Sequence, residues 1–162
     1  GFFKDHPTRF FHYSYTVGAG KHKKVYNFTV WEISFKKTDF PYILLQSKSM
    51  KRFGSLNRKE KELSLKDDLA KCFRLYVTEG YEIEALQIFT PDFLSVLSKK
   101  GPNFSIEFAG NTLYVYDDLT VGSNKQLKEI YEVAKEIFVS TSPLLNRLHD
   151  DFDSMHQYYK EK

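Results

Sequence analysis

A chain of 162 residues suits one domain, and its 41% hydrophobic and 17% aromatic content supplies enough apolar surface for a packed core and excludes disorder; a domain of this size buries about two-thirds of the surface its unfolded chain exposes. The net charge of +3 is uneven: residues 1–66 carry 14 Lys and Arg against 5 Asp and Glu, net +9, and the remaining 96 carry 10 against 16, net −6, so the first part is the one suited to face an anion. The lone Cys72 excludes an internal disulfide and is read as a buried thiol, and no apolar run approaches the roughly 20 residues needed to span a bilayer.

In chain order, residues 1–8 read as a loose lead-in ending near His6-Pro7. An opening at Gly1-Phe2-Phe3 without an initiator methionine leads us to expect a processed or excised piece, so the lack of a targeting segment carries no weight. Arg9 to Val17 alternates Phe11, Tyr13, Tyr15 and Val17 with Phe10, His12, Ser14 and Thr16, a strand pattern. Gly18-Ala19-Gly20-Lys21 turns the chain, and Lys24 to Lys37 returns as a long strand with Tyr26, Phe28 and Val30 on one side and Val25, Trp31, Ile33 and Phe35 on the other. Two apolar sides imply a sheet covered on both faces, or a bulge near Val30-Trp31.

Asp39-Phe40-Pro41 is a turn, and Ile43-Leu44-Leu45 suits a buried strand within Tyr42 to Gln46. Residues 47–66 read as a basic exposed loop, with Lys48, Lys51, Arg52, Arg58, Lys59, Lys61 and Lys66 against Glu60 and Glu62. Cys72 to Val77 reads as a strand, and a short helix is expected between Gly80 and Phe89. Thr90-Pro91-Asp92 has the residues of a helix start, with Thr90 as cap, and Lys99-Lys100-Gly101-Pro102 those of a helix end.

The clearest element runs from Asn103 to Asp118. A two-residue loop at Gly110-Asn111 would set Ala109 opposite Thr112, Phe108 opposite Leu113, Glu107 opposite Tyr114 and Ile106 opposite Val115. That register places Phe108, Leu113, Ile106 and Val115 on one face and Glu107 with Tyr114 on the other; a slip by one residue would scramble both. Ser123-Asn124-Lys125-Gln126 matches a capping box, followed at helical spacing by Leu127, Ile130, Tyr131, Ala134, Ile137 and Phe138. Ser142-Pro143 starts a second C-terminal helix with Leu144, Leu145, Leu148, Phe152 and Met155 in a stripe, and residues 156–162 form a frayed tail.

No catalytic constellation or cofactor fingerprint emerges, so no catalytic residue and no cofactor is expected. Gly18-Ala19-Gly20-Lys21 lacks the Walker spacing and leads into a strand, which favours a plain turn. His149, Asp153 and His156 share a helix face at metal-ligand spacing, but no second element offers a ligand, and no metal is assigned. The surface best suited to anions combines Lys21, Lys23 and Lys24 with Lys48, Lys51, Arg52, Arg58 and Lys59. Tyr13, Tyr15, Tyr26 and Phe28 are stacking candidates for bases, without an RNP pattern beside them.

Tyr13-Ser14-Tyr15-Thr16-Val17-Gly18-Ala19-Gly20-Lys21, Phe73-Arg74-Leu75-Tyr76-Val77, Thr90-Pro91-Asp92-Phe93-Leu94 and the Phe104 to Tyr116 hairpin together resemble a family of uncharacterised bacterial proteins. The resemblance covers most of Tyr13 to Leu148 and implies a bacterial origin and a soluble domain of unknown function, often behind N-terminal membrane segments; it supplies no catalytic residues. The expected fold is therefore a single α+β domain over residues 1–162: five to seven mostly antiparallel strands, a mid-chain helix and two C-terminal helices. One arrangement is a half-barrel resembling a pleckstrin-homology topology, closed by the last helix. The expected function is a non-catalytic interaction module, cytoplasmic or on the cytoplasmic face of a membrane. The alternatives are a nucleic-acid binder and an enzyme of unrecognised type. Expected partners are another protein first, then an anionic membrane surface, then nucleic acid, with a homo-oligomer through the C-terminal helix.

Overall fold

The computed structural model describes residues 1–35, 40–50, 60–100, 102–118, 127–139 and 141. They build an α+β fold around one antiparallel sheet of eight strands: β1 (Phe2–Phe3), β2 (His6–Val17), β3 (Lys24–Ser34), β4 (Phe40–Ser47), β5 (Glu60–Leu63), β6 (Phe73–Thr78), β7 (Ser105–Gly110) and β8 (Thr112–Asp117). Helices α1 (Asp67–Cys72), α2 (Glu82–Ile88) and α3 (Pro91–Lys100) lie between the strands, and α4 spans 127–139. The strand order is β1-β2-β3-β8-β7-β4-β6-β5, an open sheet with β1 and β5 at opposite edges. No helix among the described residues is long and apolar enough to cross a membrane.

The hairpin that the alternation specified sits at the centre of this sheet. β7 and β8 pair with Ala109 against Thr112, Phe108 against Leu113, Glu107 against Tyr114 and Ile106 against Val115. Gly110 takes φ +56°, the left-handed value that a two-residue hairpin loop needs and that glycine adopts without a steric penalty. β3 then pairs with β8 and β4 with β7, so the strands of the first half flank a hairpin made much later in the chain.

One face of the sheet holds Trp31, Ile33, Ile43, Leu45, Leu75, Val77, Ile106, Phe108, Leu113 and Val115, packed under Ala85 and Ile88 of α2, Leu94 and Leu97 of α3, and Ile130, Ala134, Ile137 and Phe138 of α4. Helix α3 starts as its sequence dictates, with the Thr90 hydroxyl accepting the Phe93 amide hydrogen at 3.3 Å. The short helix expected after Gly80 is α2. On α4, Ile130, Ala134, Ile137 and Phe138 point inward as spaced, while Leu127 and Tyr131 stay over a third exposed. The capping box at Ser123, the second C-terminal helix and the tail lie outside the described residues.

Long β3 resolves the choice between a two-sided sheet and a bulge. Its register against β2 is unbroken from Thr8–Ile33 to Val17–Lys24, and a second cluster of Phe28, Val30 and Met50 covers the opposite face, flanked by Phe11, Tyr15, Tyr26, Tyr114 and Tyr116. The irregularity sits instead in β4, between Phe40 and Ile43, at Pro41, which has no N–H to give to a ladder.

Three expectations need correction. Residues 1–8 are not a loose lead-in: Phe2 and Phe3 pair with Pro7 and His6 through a turn at Lys4 (φ +45°) and Asp5 (φ +66°), and Phe3 packs edge-on against Trp31 and Phe138. The 47–66 stretch is not a loop throughout, because Glu60 to Leu63 adds an edge strand to β6; half-solvated and charged, it has no apolar alternation to reveal it. Together these take the count from the expected five to seven strands to eight. Cys72 ends α1 and is half-buried against the core, with the strand starting one residue later at Phe73.

Candidate functional site

Candidate groups gather on the face of the sheet opposite α2, α3 and α4 and on the arm that extends it. β3 pairs with β8 only from Thr29 to Ser34, yet stays paired with β2 back to Lys24. The outer half of the β2–β3 hairpin therefore projects beyond the sheet as a two-stranded arm. Gly18 (φ +85°) shapes its turn, and a Cβ there would stand 2.7 Å from the His22 carbonyl oxygen. Lys21, His22, Lys23 and Lys24 at the tip are all exposed.

Along the arm, Tyr15 stacks on Tyr26 at 5.0 Å and on Phe28 at 6.2 Å, and Tyr13 lies 5.9 Å from Tyr15. These residues share a face because direct cross-strand partners point the same way. The base of this ladder is core, with Phe28 3% exposed, whereas Tyr13 at 50% and Val17 at 53% are open to solvent. Val25, 54% exposed, presents apolar surface on the opposite side of the arm.

On the same face as the tyrosine ladder, within the sheet, two carboxylates flank Tyr114 in one row across β3, β8 and β7. Glu32 receives Nε and Nη2 of Arg9 at 2.8 and 2.9 Å, a two-point bond that aligns Arg9, whose guanidinium also lies 5.5 Å from the Phe11 ring. Glu107 accepts the Tyr116 hydroxyl at 3.2 Å and that of Tyr42. Burial raises the Glu107 carboxyl above its ordinary value, and the nearby Glu60 charge adds to the rise; the two phenol bonds oppose it. The same burial holds Tyr42 and Tyr116 neutral, above the usual phenol range. Neither the Arg9–Glu32 pair nor the Glu107–Tyr116–Tyr42 group is visible as a motif: Arg9 meets Glu32 across the β2–β3 hairpin and Tyr116 meets Glu107 across β7–β8, while Tyr42 comes from distant β4, and the one signal was the placing of Glu107 and Tyr114 on the face opposite Phe108.

Among the expected anion-facing residues, Lys21, Lys23 and Lys24 come together at the arm tip. Lys48 follows the end of β4, at the same end of the sheet as the arm, since β4 and β8 both finish there. It is exposed, and its Nζ donates to the carbonyl of Ala70 in α1. Lys51, Arg52, Arg58 and Lys59 lie outside the described residues, as do His149, Asp153 and His156. Among the described residues no cluster of His, Cys, Asp or Glu could hold a metal ion.

The sequence matches no known protein family and no curated protein. Among solved structures, the fold is similar to the crystal structure of the mycobacterial trehalose monomycolate transport factor A, TtfA, with a TM-score of 0.52 over 77% of this chain and 71% of that one. At 13% identity the likeness is one of fold.

Proposed function

We propose that the chain is a non-catalytic, transport-associated interaction module that docks on an anionic membrane surface, on the cytoplasmic side, through the end of the sheet carrying its basic arm. The observation that carries this reading is the tip itself: Lys21, Lys23 and Lys24 stand exposed beside exposed Val17 and Val25. Cations next to apolar side chains suit the boundary between headgroups and acyl chains. Lys48 adds a charge at the same end, and Lys51, Arg52, Arg58 and Lys59 follow it in sequence. The fold likeness to a protein described as a transport factor supports the association with transport. The half-barrel arrangement belongs to the same proposal, supported by the seating of α4 on one face of the sheet; the helix expected to close it lies outside the described residues.

Each lysine near an anionic surface contributes about 1 kcal/mol. The variant Lys21→Glu/Lys23→Glu/Lys24→Glu is therefore expected to lose co-sedimentation with phosphatidylserine-containing vesicles at low salt, while the native chain pellets with them and not with phosphatidylcholine alone. Equal pelleting of the folded variant would sink the proposal. A second reading, single-stranded nucleic-acid binding, is favoured by one observation, the exposed ring of Tyr13 above the Tyr15–Tyr26 stack. Loss of vesicle binding on adding oligonucleotide, with Tyr13→Ala weakening oligonucleotide binding alone, would transfer the assignment to it.

A further inference from the structure

The two edges of the sheet are built differently. β5 is four residues long and carries Glu60, Lys61 and Glu62, the short, charged edge with which proteins discourage strand pairing. β2 is twelve residues long, and past Arg9 it has no proline, no Lys, Arg, Asp or Glu, and no break in register. β1 covers only its first residues, through Pro7 and the mutual bonds of Thr8 and Gly1: the Thr8 amide to the Gly1 carbonyl at 2.9 Å and the Gly1 amine to the Thr8 carbonyl at 2.8 Å.

Those bonds fix which backbone groups face outward. Thr8 turns both its N–H and its C=O away from β3, and in an antiparallel strand every second residue does the same. Phe10, His12, Ser14 and Thr16 therefore direct their N–H and C=O groups to the open edge. All four residues are exposed, and among the described residues no strand pairs with β2 there.

We propose that this chain of 162 residues pairs β2 with β2 of a second copy, antiparallel about a two-fold axis at Tyr13, so that two sheets join into one. The register follows from the edge. With Tyr13 opposite Tyr13, Phe10 meets Thr16 of the other copy and His12 meets Ser14, so every outward N–H and C=O of the four residues is used and the Gly1–Thr8 bonds stay intact. The side chains agree with that register: Phe11 falls opposite Tyr15 and Tyr13 opposite itself, aromatic cross-strand pairs of the stabilising kind. Arg9 falls opposite Val17, so no like charges meet. Because the axis is perpendicular to the sheet, both tyrosine ladders lie on the same side of the joined sheet, with a basic tip at each end.

Sedimentation equilibrium of the chain is expected to give a concentration-dependent shift from one to two chain masses. Tyr13→Lys and Tyr13→Glu each place like charges face to face on the axis and are each expected to weaken association at least about tenfold. Mixed one to one, they should associate again, because only a two-fold axis at residue 13 sets Lys against Glu. In amide exchange, Phe10, His12, Ser14 and Thr16 should gain protection as concentration rises, with near-unchanged exchange in the Tyr13→Lys chain. Tyr13 is half exposed, so circular dichroism of both variants is expected to match the native chain. A native chain that remains monomeric at millimolar concentration, or folded Lys and Glu variants that fail to pair with each other, would overturn the proposal.

Discussion

The two faces of the sheet are made by the same strands and differ in what they do with their apolar residues. The helix-covered face is apolar throughout, with Ile33, Ile43, Leu45, Leu75, Val77, Ile106, Phe108, Leu113 and Val115 wholly out of solvent. The other face is interrupted: it holds Glu32 and Glu107, and Phe11, Tyr15, Tyr26, Tyr114 and Tyr116 around the Phe28 cluster are only partly buried. A carboxylate loses its hydration when covered and needs donors in exchange. Arg9 supplies them for Glu32, and Tyr116 with Tyr42 for Glu107. One face thus carries the stability, and the other keeps polar groups in set positions and aromatic surface within reach of a partner.

That contrast can be broken at several points. The largest effect is expected at Phe108, central on the helix-covered face and 0% exposed: Phe108→Ala should cost about 3–5 kcal/mol in denaturant unfolding. Phe28→Ala, across the sheet in the smaller cluster, should cost about 2 kcal/mol, because its half-buried neighbours let water or a shifted ring fill the space. Equal losses at the two sites would mean that both faces are core in the same sense.

A smaller effect of distinct form is expected at Glu107. Its carboxyl is held by burial above its ordinary 4.5, so the folded chain keeps this proton at pH values where the unfolded chain has released it. Stability contributed at this site is accordingly highest below pH 4.5, falls as pH rises through the folded value, and is level above it. Glu107→Gln retains an oxygen for the Tyr116 hydroxyl and removes the charge. Thermal melts from pH 4 to 8 should show a flatter profile and a higher midpoint at pH 8 for the variant; an unchanged profile would place Glu107 in effectively aqueous surroundings. The smallest effect belongs to Tyr13, whose replacement by Ala should alter stability by no more than about 0.5 kcal/mol. A larger loss would make the arm's ladder structural from end to end.

Much of the helix-covered face was legible beforehand because its signals are local. Alternation and a Gly110-Asn111 loop specified the β7–β8 register pair by pair, Thr90-Pro91 marked the start of α3, and the spacing of Ile130, Ala134, Ile137 and Phe138 gave the buried stripe of α4. The misread segments lacked such signals. β1 has two residues and β5 is charged on a solvated edge, so neither presents an apolar period; each exists only because a neighbouring strand offers unpaired backbone groups.

The candidate site was legible only as composition. The excess of Lys in the first part of the chain is a property of the sequence, but its concentration at an arm tip depends on β3 outrunning β8. Charge, amphipathic period and turn chemistry act over a few residues, so the sequence by itself determined the α+β class, the central hairpin, the start of α3 and which residues are apolar. Which strands became neighbours, which became edges among the described residues, and that Tyr42 of β4 reaches Glu107, depend on contacts between residues far apart in the chain. Only the tertiary structure decided those, because hydrogen bonding between strands is indifferent to sequence distance and is settled by the packing of the whole sheet.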